Sequence, residues 1–151
     1  MNHEMNAVKK VEAIATKAHE GQYRRDGVTP YIEHPKAVAA IVGGDEKAEM
    51  VAWLHDVIED TAKEDKDKKK VRNSLKKKGV PSDVIEAVDL MTHSKGKSYG
   101  KYLDPIKNNP LAKKVKIADM LANLADSPTE KQIQKYAKGL LFLLDDYSSA
   151  F

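Results

Sequence analysis

Apolar residues in this chain recur at intervals of three and four and nowhere alternate convincingly with period two, a pattern that selects helices packed on helices. Val8, Val11, Ile14, Ala15 and Ala18 form a first stripe, and Gly21, Gly27 and Pro30 mark the loop after it. Pro35 suits the first turn of a second helix through Val42, ended by Gly43-Gly44. Asp45 caps a third, predicted to run to about Thr61. The charge run Lys63 to Lys70 is either a solvated loop or the exposed start of a fourth helix ending at Gly79. Ser82 is placed to cap a fifth with Val84, Ile85, Val88 and Met91 inward. Tyr99, Tyr102, Leu103 and Ile106 suggest a short sixth despite Pro105. Asn109-Pro110 opens a seventh with Leu111, Val115, Ala118 and Leu121 inward. Ser127-Pro128-Thr129-Glu130 reads as the capping box of an eighth carrying Ile133, Tyr136, Leu140 and Leu144. The expectation is one all-α domain over residues 1–151, a compact bundle of about eight helices.

Composition narrows the chemistry. The 151 residues suffice for one sizeable core, and a formal charge of +3 attracts anions mildly but is too small to argue for a dedicated nucleic-acid binder. Cysteine is absent, which excludes disulfide scaffolds, thiolate metal sites and cysteine nucleophiles, so any metal must sit on His, Asp or Glu. The longest apolar run, Ala37 to Val42, is far short of a membrane span. Met1-Asn2-His3-Glu4 does not begin a signal peptide, and a cytoplasmic protein is expected.

Four titratable residues interrupt the apolar third helix. His55, Asp56, Glu59 and Asp60 share one side of it by their spacing, and burying three carboxylates together without a cation costs several kcal/mol or forces protonation. A divalent metal resolves the conflict, and a polar stripe on an amphipathic helix is the plainer alternative. His34, at a helix start in Tyr31-Ile32-Glu33-His34-Pro35, is a further candidate ligand or an ordinary structural histidine. Asp119, in the middle of the apolar segment Val115 to Leu121, is another candidate or a salt-bridging carboxylate.

Together these positions form an H…HD…D pattern that resembles the HD-domain metal-dependent phosphohydrolases, and more narrowly the RelA/SpoT-type hydrolase domain and the small alarmone hydrolases. The resemblance spans roughly residues 7 to 125. It rests on Ala18-His19-Glu20-Gly21-Gln22-Tyr23-Arg24-Arg25, Pro30-Tyr31-Ile32-Glu33-His34-Pro35, Leu54-His55-Asp56-Val57-Ile58-Glu59-Asp60-Thr61, and Val115 to Asp119 with Asn123. It implies a helical bundle around one divalent metal, usually manganese, held by His34, His55, Asp56 and Asp119. It also implies that Glu59 and Asp60 position and deprotonate the attacking water, while Arg24, Arg25 and Asn123 hold the nucleotide. The implied activity is release of pyrophosphate from the 3′ position of (p)ppGpp-type alarmones. A small-molecule nucleotide is then the partner, with no membrane and no nucleic acid; the chain lacks the length of the family's synthetase-bearing members and should only hydrolyse.

Met120, Ala122, Asp26 and Asp126 depart from residues common in that family, which leaves the nucleotide pocket open. A 5′-nucleotidase or adenine-alarmone hydrolase on the same metal site, and a non-enzymatic nucleotide-binding module, are the competing readings. His19 is expected to support its loop. His93 and Lys95, with Tyr99 and Tyr102, either face the pocket or pack, and the lysines from Lys66 to Lys78 are expected to form a solvated face.

Overall fold

The computed structural model describes residues 6–62 and 64–145; Met1-Asn2-His3-Glu4 and Lys63 lie outside the described residues. Helices α1 (Ala7–Ala18), α2 (Glu33–Ile41), α3 (Glu46–Leu54), α4 (Val57–Thr61) and α5 (Asp65–Lys77) are followed by α6 (Ser82–Leu90), α7 (Tyr99–Lys107), α8 (Pro110–Leu124) and α9 (Glu130–Asp145). The extended backbone among the described residues is an isolated bridge, Tyr23 to Pro30, closing the loop after α1. The all-α expectation holds, with one helix more than the eight expected.

The extra helix arises because the third predicted helix is two, broken at His55-Asp56. The His55 ring Nδ1 lies 2.7 Å from the Ala52 carbonyl oxygen and donates to it, satisfying one of the acceptors that a helix C-terminus leaves over. Asp56 leaves the helix at φ −104° and ψ 0°, and α4 resumes one residue later. The charge run resolves as the exposed first turns of α5.

Most termini follow the sequence. Asp45 accepts from the Ala48 N–H at 3.1 Å and Asn109 from the Ala112 N–H at 2.9 Å, with Pro110 in the first helical position. Two caps move. Pro81 occupies the cap position of α6, so Ser82 is its first helical residue. The box on α9 is Thr129 with Gln132, exchanging bonds of 3.1 and 2.9 Å. Ser127, at φ +47°, has turned into the left-handed region and cannot open the helix.

The core is centred on α3 and α8. Val51, Ala52 and Leu54 of α3 and Ala112, Val115 and Met120 of α8 are fully buried, and α3 packs against α1, α2, α6 and α8. Burial of a full Leu or Val side chain is worth about 1.5–3 kcal/mol, so this pair of helices is the stable frame for whatever it carries. Helix α9 closes on α7 and α8 through Gly139, where a Cβ would lie 2.8 Å from the Met120 methyl and 3.3 Å from the Tyr99 ring. Leu121, expected inward, is 43% exposed, and Ile133 and Leu144 of α9 are 46% and 56% exposed. Leu121 sits between the inward Met120 and Ala122, and α9 has leucine at 140, 141 and 144. Where apolar residues surround a helix, periodicity does not choose its inner face.

Candidate metal centre

His34 enters from the first turn of α2, His55 and Asp56 from the α3–α4 break, and Asp119 from the middle of α8. His34, His55 and Asp119 are 6%, 1% and 5% exposed. One ligand atom each from His34, His55 and Asp56 lies within 4.8 Å of the others. Asp119 Oδ1 is 2.7 Å from His34 Nε2 and 3.3 Å from His55 Nε2, while Asp56 Oδ2 is 3.1 Å from His55 Nε2. Residues 85 positions apart thus touch.

The donors fit a cation. Because the His55 Nδ1–H donates to the Ala52 carbonyl, Nε2 carries a lone pair whenever the ring is neutral. That atom is buried with no hydrogen-bond partner and faces two carboxylates. A lone pair aimed at carboxylate oxygens repels them unless a positive charge lies between. The titration tendencies express the same demand. Burial opposes charge on His55, yet Asp56 and Asp119 hold its pKa well above the usual histidine range. Burial also opposes ionisation of Asp56, but His55 and Tyr31 bring its pKa down to about 2. Asp119 is held well below the carboxylate range, burial being outweighed by Lys116 and His55. Two anionic oxygens and two imidazole nitrogens form a set suited to a first-row divalent metal.

A surrounding shell orients the four. The Tyr31 hydroxyl donates to Asp56 Oδ2 at 2.5 Å. The Lys116 ammonium, 8% exposed, donates to Asp119 Oδ2 at 2.9 Å and sits 5.1 Å from the Tyr102 ring centre. The Asn123 amide, one turn on, donates to Asp119 Oδ1 at 3.3 Å. Sequence reading missed Tyr31 and Lys116. The signal for Lys116 was its place three residues before Asp119 on an otherwise apolar helix.

Glu59 and Asp60 lie exposed on α4, in the turn after Asp56. The His93 backbone N–H donates to Glu59 Oε1 at 2.9 Å, so the loop after α6 holds this carboxylate. Burial first, then Asp56 and Glu59, push the Asp60 carboxyl up to about 7. His19, 2% exposed, places Nδ1 2.8 Å from the Gln22 side-chain oxygen and 4.0 Å from Asp60 Oδ2, while its ring packs 4.9 Å from that of Tyr31. It supports the loop, as expected.

The nucleotide-binding candidates are less gathered. Arg24 lies 5.9 Å from the Tyr31 ring centre but is already paired with Asp126 at 2.7 Å. Arg25 is exposed on the loop beside it. Asp26, one of the departures, pins that loop by accepting from the N–H groups of Val28 and Thr29. Burial raises the pKa of Tyr136 on α9, and the Asp119 carboxylate adds to the rise. Helix α9 packs on α8, the helix that carries Asp119. His93 stacks on Tyr102 at 4.3 Å, and the Tyr102 hydroxyl donates to the Met91 carbonyl at 2.6 Å, so this pair packs. Lys95 is exposed on the same loop.

The HD domain family model matches residues 31–124. This chain belongs to the HD domain family. The match runs from Tyr31 through Leu124 and contains all four proposed ligands of the HD domain. Over 51 residues the chain is 59% identical to a guanosine-3′,5′-bis(diphosphate) 3′-pyrophosphohydrolase of Haemophilus influenzae, covering 32% of this chain and 7% of that protein. Over 142 residues it is 31% identical to a probable GTP pyrophosphokinase of Mycobacterium leprae, covering 87% of this chain and 17% of that protein. The chain thus spans less than a fifth of these curated relatives' length. Among solved structures it matches, with a TM-score of 0.71 and 26% identity over 96% of this chain and 89% of the other, one described as "A metazoan ortholog of SpoT hydrolyzes ppGpp and plays a role in starvation responses". Among the described residues, no helix of this HD domain is long and apolar enough to cross a membrane.

Proposed function

We propose that this HD domain hydrolyses (p)ppGpp-type guanosine alarmones, releasing pyrophosphate from the 3′ position. The observation that carries this reading is the convergence of His34, His55, Asp56 and Asp119 from three remote segments, with Glu59 and Asp60 one turn away. Relatives bearing that activity in their names, and a similar structure described as hydrolysing ppGpp, support the choice of substrate.

His34, His55, Asp56 and Asp119 would hold one divalent cation, manganese in this reading. Such an ion, when bound, supplies Lewis acidity to the phosphoryl oxygens and lowers the pKa of water. The chain's own residues supply the rest. Asp60, one turn after Asp56, accepts the proton of the attacking water, and Glu59, held by the His93 N–H, orients that water. Water adds to the phosphorus on the 3′ oxygen, that phosphorus–oxygen bond breaks, pyrophosphate departs and the 3′ oxygen takes a proton. Arg25 and Arg24 offer forked donors to phosphate oxygens, Arg24 in exchange for Asp126. Asn123 stands next to the nucleoside while holding Asp119.

The test is incubation of manganese-loaded protein with ppGpp, its adenine counterpart and simple 5′-nucleotides, with products separated by anion-exchange chromatography. The expected products are GDP and pyrophosphate from ppGpp. Orthophosphate from a 5′-nucleotide, or preference for the adenine compound, replaces this reading with another hydrolase on the same site. No turnover of any of them leaves a binding module.

A further inference from the structure

Helices α1, α4 and α5 enclose an open groove of about 590 Å³, which α4 lines with Val57 and Thr61. Its floor and walls are apolar, from Ile14 and Ala18 of α1, Val57 of α4 and Val71 and Leu75 of α5. Its banks are basic, with Lys17 on the α1 side and Lys70 and Lys78 on the α5 side. A second hollow shares Lys70, Ser74 and Lys78 and adds Lys77. No carboxylate lines either hollow, and none of these four lysines makes an ion pair among the described residues. Elsewhere on the surface Lys47, Lys66, Lys68 and Lys114 are each paired with an acid. Uncompensated positive charge on both banks of an apolar trough is a specific complementarity: the occupant needs an apolar ridge with carboxylates along both flanks.

We propose that this groove docks an acidic amphipathic helix of a partner protein. A helix presents such a ridge through its i, i+3, i+4 and i+7 positions and lays it between two host helices. A flat anionic membrane would instead require apolar side chains that protrude, and here they line a concavity. The docked helix would rest on Val57 and Thr61 of the short helix that also carries Glu59 and Asp60.

The experiment uses a fluorescein-labelled peptide of roughly 18 residues, five helical turns. Leucines form one face and glutamates the other, and a twin has lysine for every glutamate. Fluorescence anisotropy on the full chain reads binding and does not depend on turnover, so failure of the proposed hydrolysis would leave this result intact. The acidic peptide should bind, weaken with salt, and lose about tenfold or more in affinity to the K17E/K70E/K78E variant, to which the lysine twin should bind instead. All three positions are exposed and unpaired, so the variant should fold, its melting temperature lowered only by the modest cost of acids at the C-terminal ends of α1 and α5. Absence of binding, equal affinity for the charge-reversed variant, or sedimentation of the protein with phosphatidylglycerol vesicles but no peptide binding overturns the proposal.

Discussion

His55 and Asp119 sit 1% and 5% exposed on the two most buried helices, each tied by hydrogen bonds to its own helix or to other buried groups. Arg24, Arg25 and Asp126, by contrast, stand at the surface, and the ion pair between Arg24 and Asp126 includes an acid whose side chain is 61% exposed. The contrast separates two kinds of site residue. The proposed ligands on the floor are placed by the same packing that makes the protein stable, so that function and the fold would share their determinants. Cations on the rim are placed by a short loop and screened by solvent, so they can change partners without disturbing the bundle.

The largest expected effect breaks the floor. Asp119→Ala leaves the Lys116 ammonium buried and unpaired, which should cost about 3–5 kcal/mol in urea denaturation and abolish divalent-metal binding by calorimetry. The Lys116→Met/Asp119→Ala pair should recover most of the stability and none of the metal affinity. If the single variant were as stable as the wild type, the claim that floor and fold share determinants would be wrong.

Glu59→Gln and Asp60→Asn come next. Each should lower kcat on ppGpp by roughly 10²–10⁴ while metal titrations stay unchanged, since neither is among the four proposed ligands. On the rim, Arg25→Ala should raise KM about tenfold with little change in kcat, the loss of one charge-assisted contact. Asp126→Ala, which frees Arg24, should shift stability by less than about 1 kcal/mol and lower KM. A rise in KM instead would mean that the ion pair itself holds Arg24 in position.

The smallest effect concerns pH. In metal-free protein Asp60 should titrate near 7 by carbon NMR of its carboxyl, and divalent metal should lower that value. Its folded pKa lies above the ordinary 3.8, so its contribution to stability is fully present below about 3.8 and lost as pH rises through 7. Asp60→Asn should therefore gain in melting temperature over the wild type at pH 8 and not at pH 4. Equal differences at both values would remove the linkage.

The helical class and most helix starts were legible because caps and periodicity are local. The pairing of His34 with Asp119 was legible only through resemblance to a family, since nothing within either segment indicates the other. The break at His55-Asp56 was not visible because no Gly or Pro marks it and apolar residues continue on both sides, and a side-chain bond from the His55 ring to Ala52 ends α3. The exposed Leu121, Ile133 and Leu144 mark the other blind spot, where apolar residues on several sides of a helix blur its inner face. Tyr31 and Lys116 escaped notice because each acts by touching a ligand, and contact between side chains is a property of the assembled molecule.

The buried ammonium of Lys116 has one more consequence. In metal-free protein the Asp56 and Asp119 carboxylates are balanced by the Lys116 ammonium and the His55 imidazolium, so the exposed acids on α4 give the floor its negative sign. A polyphosphate approaching that floor is repelled; a dication cancels most of that negative charge. If the proposed function holds, loading should therefore be ordered, the ion first and the nucleotide second, and nucleotide affinity should collapse when the ion is chelated even though Arg24 and Arg25 have not moved.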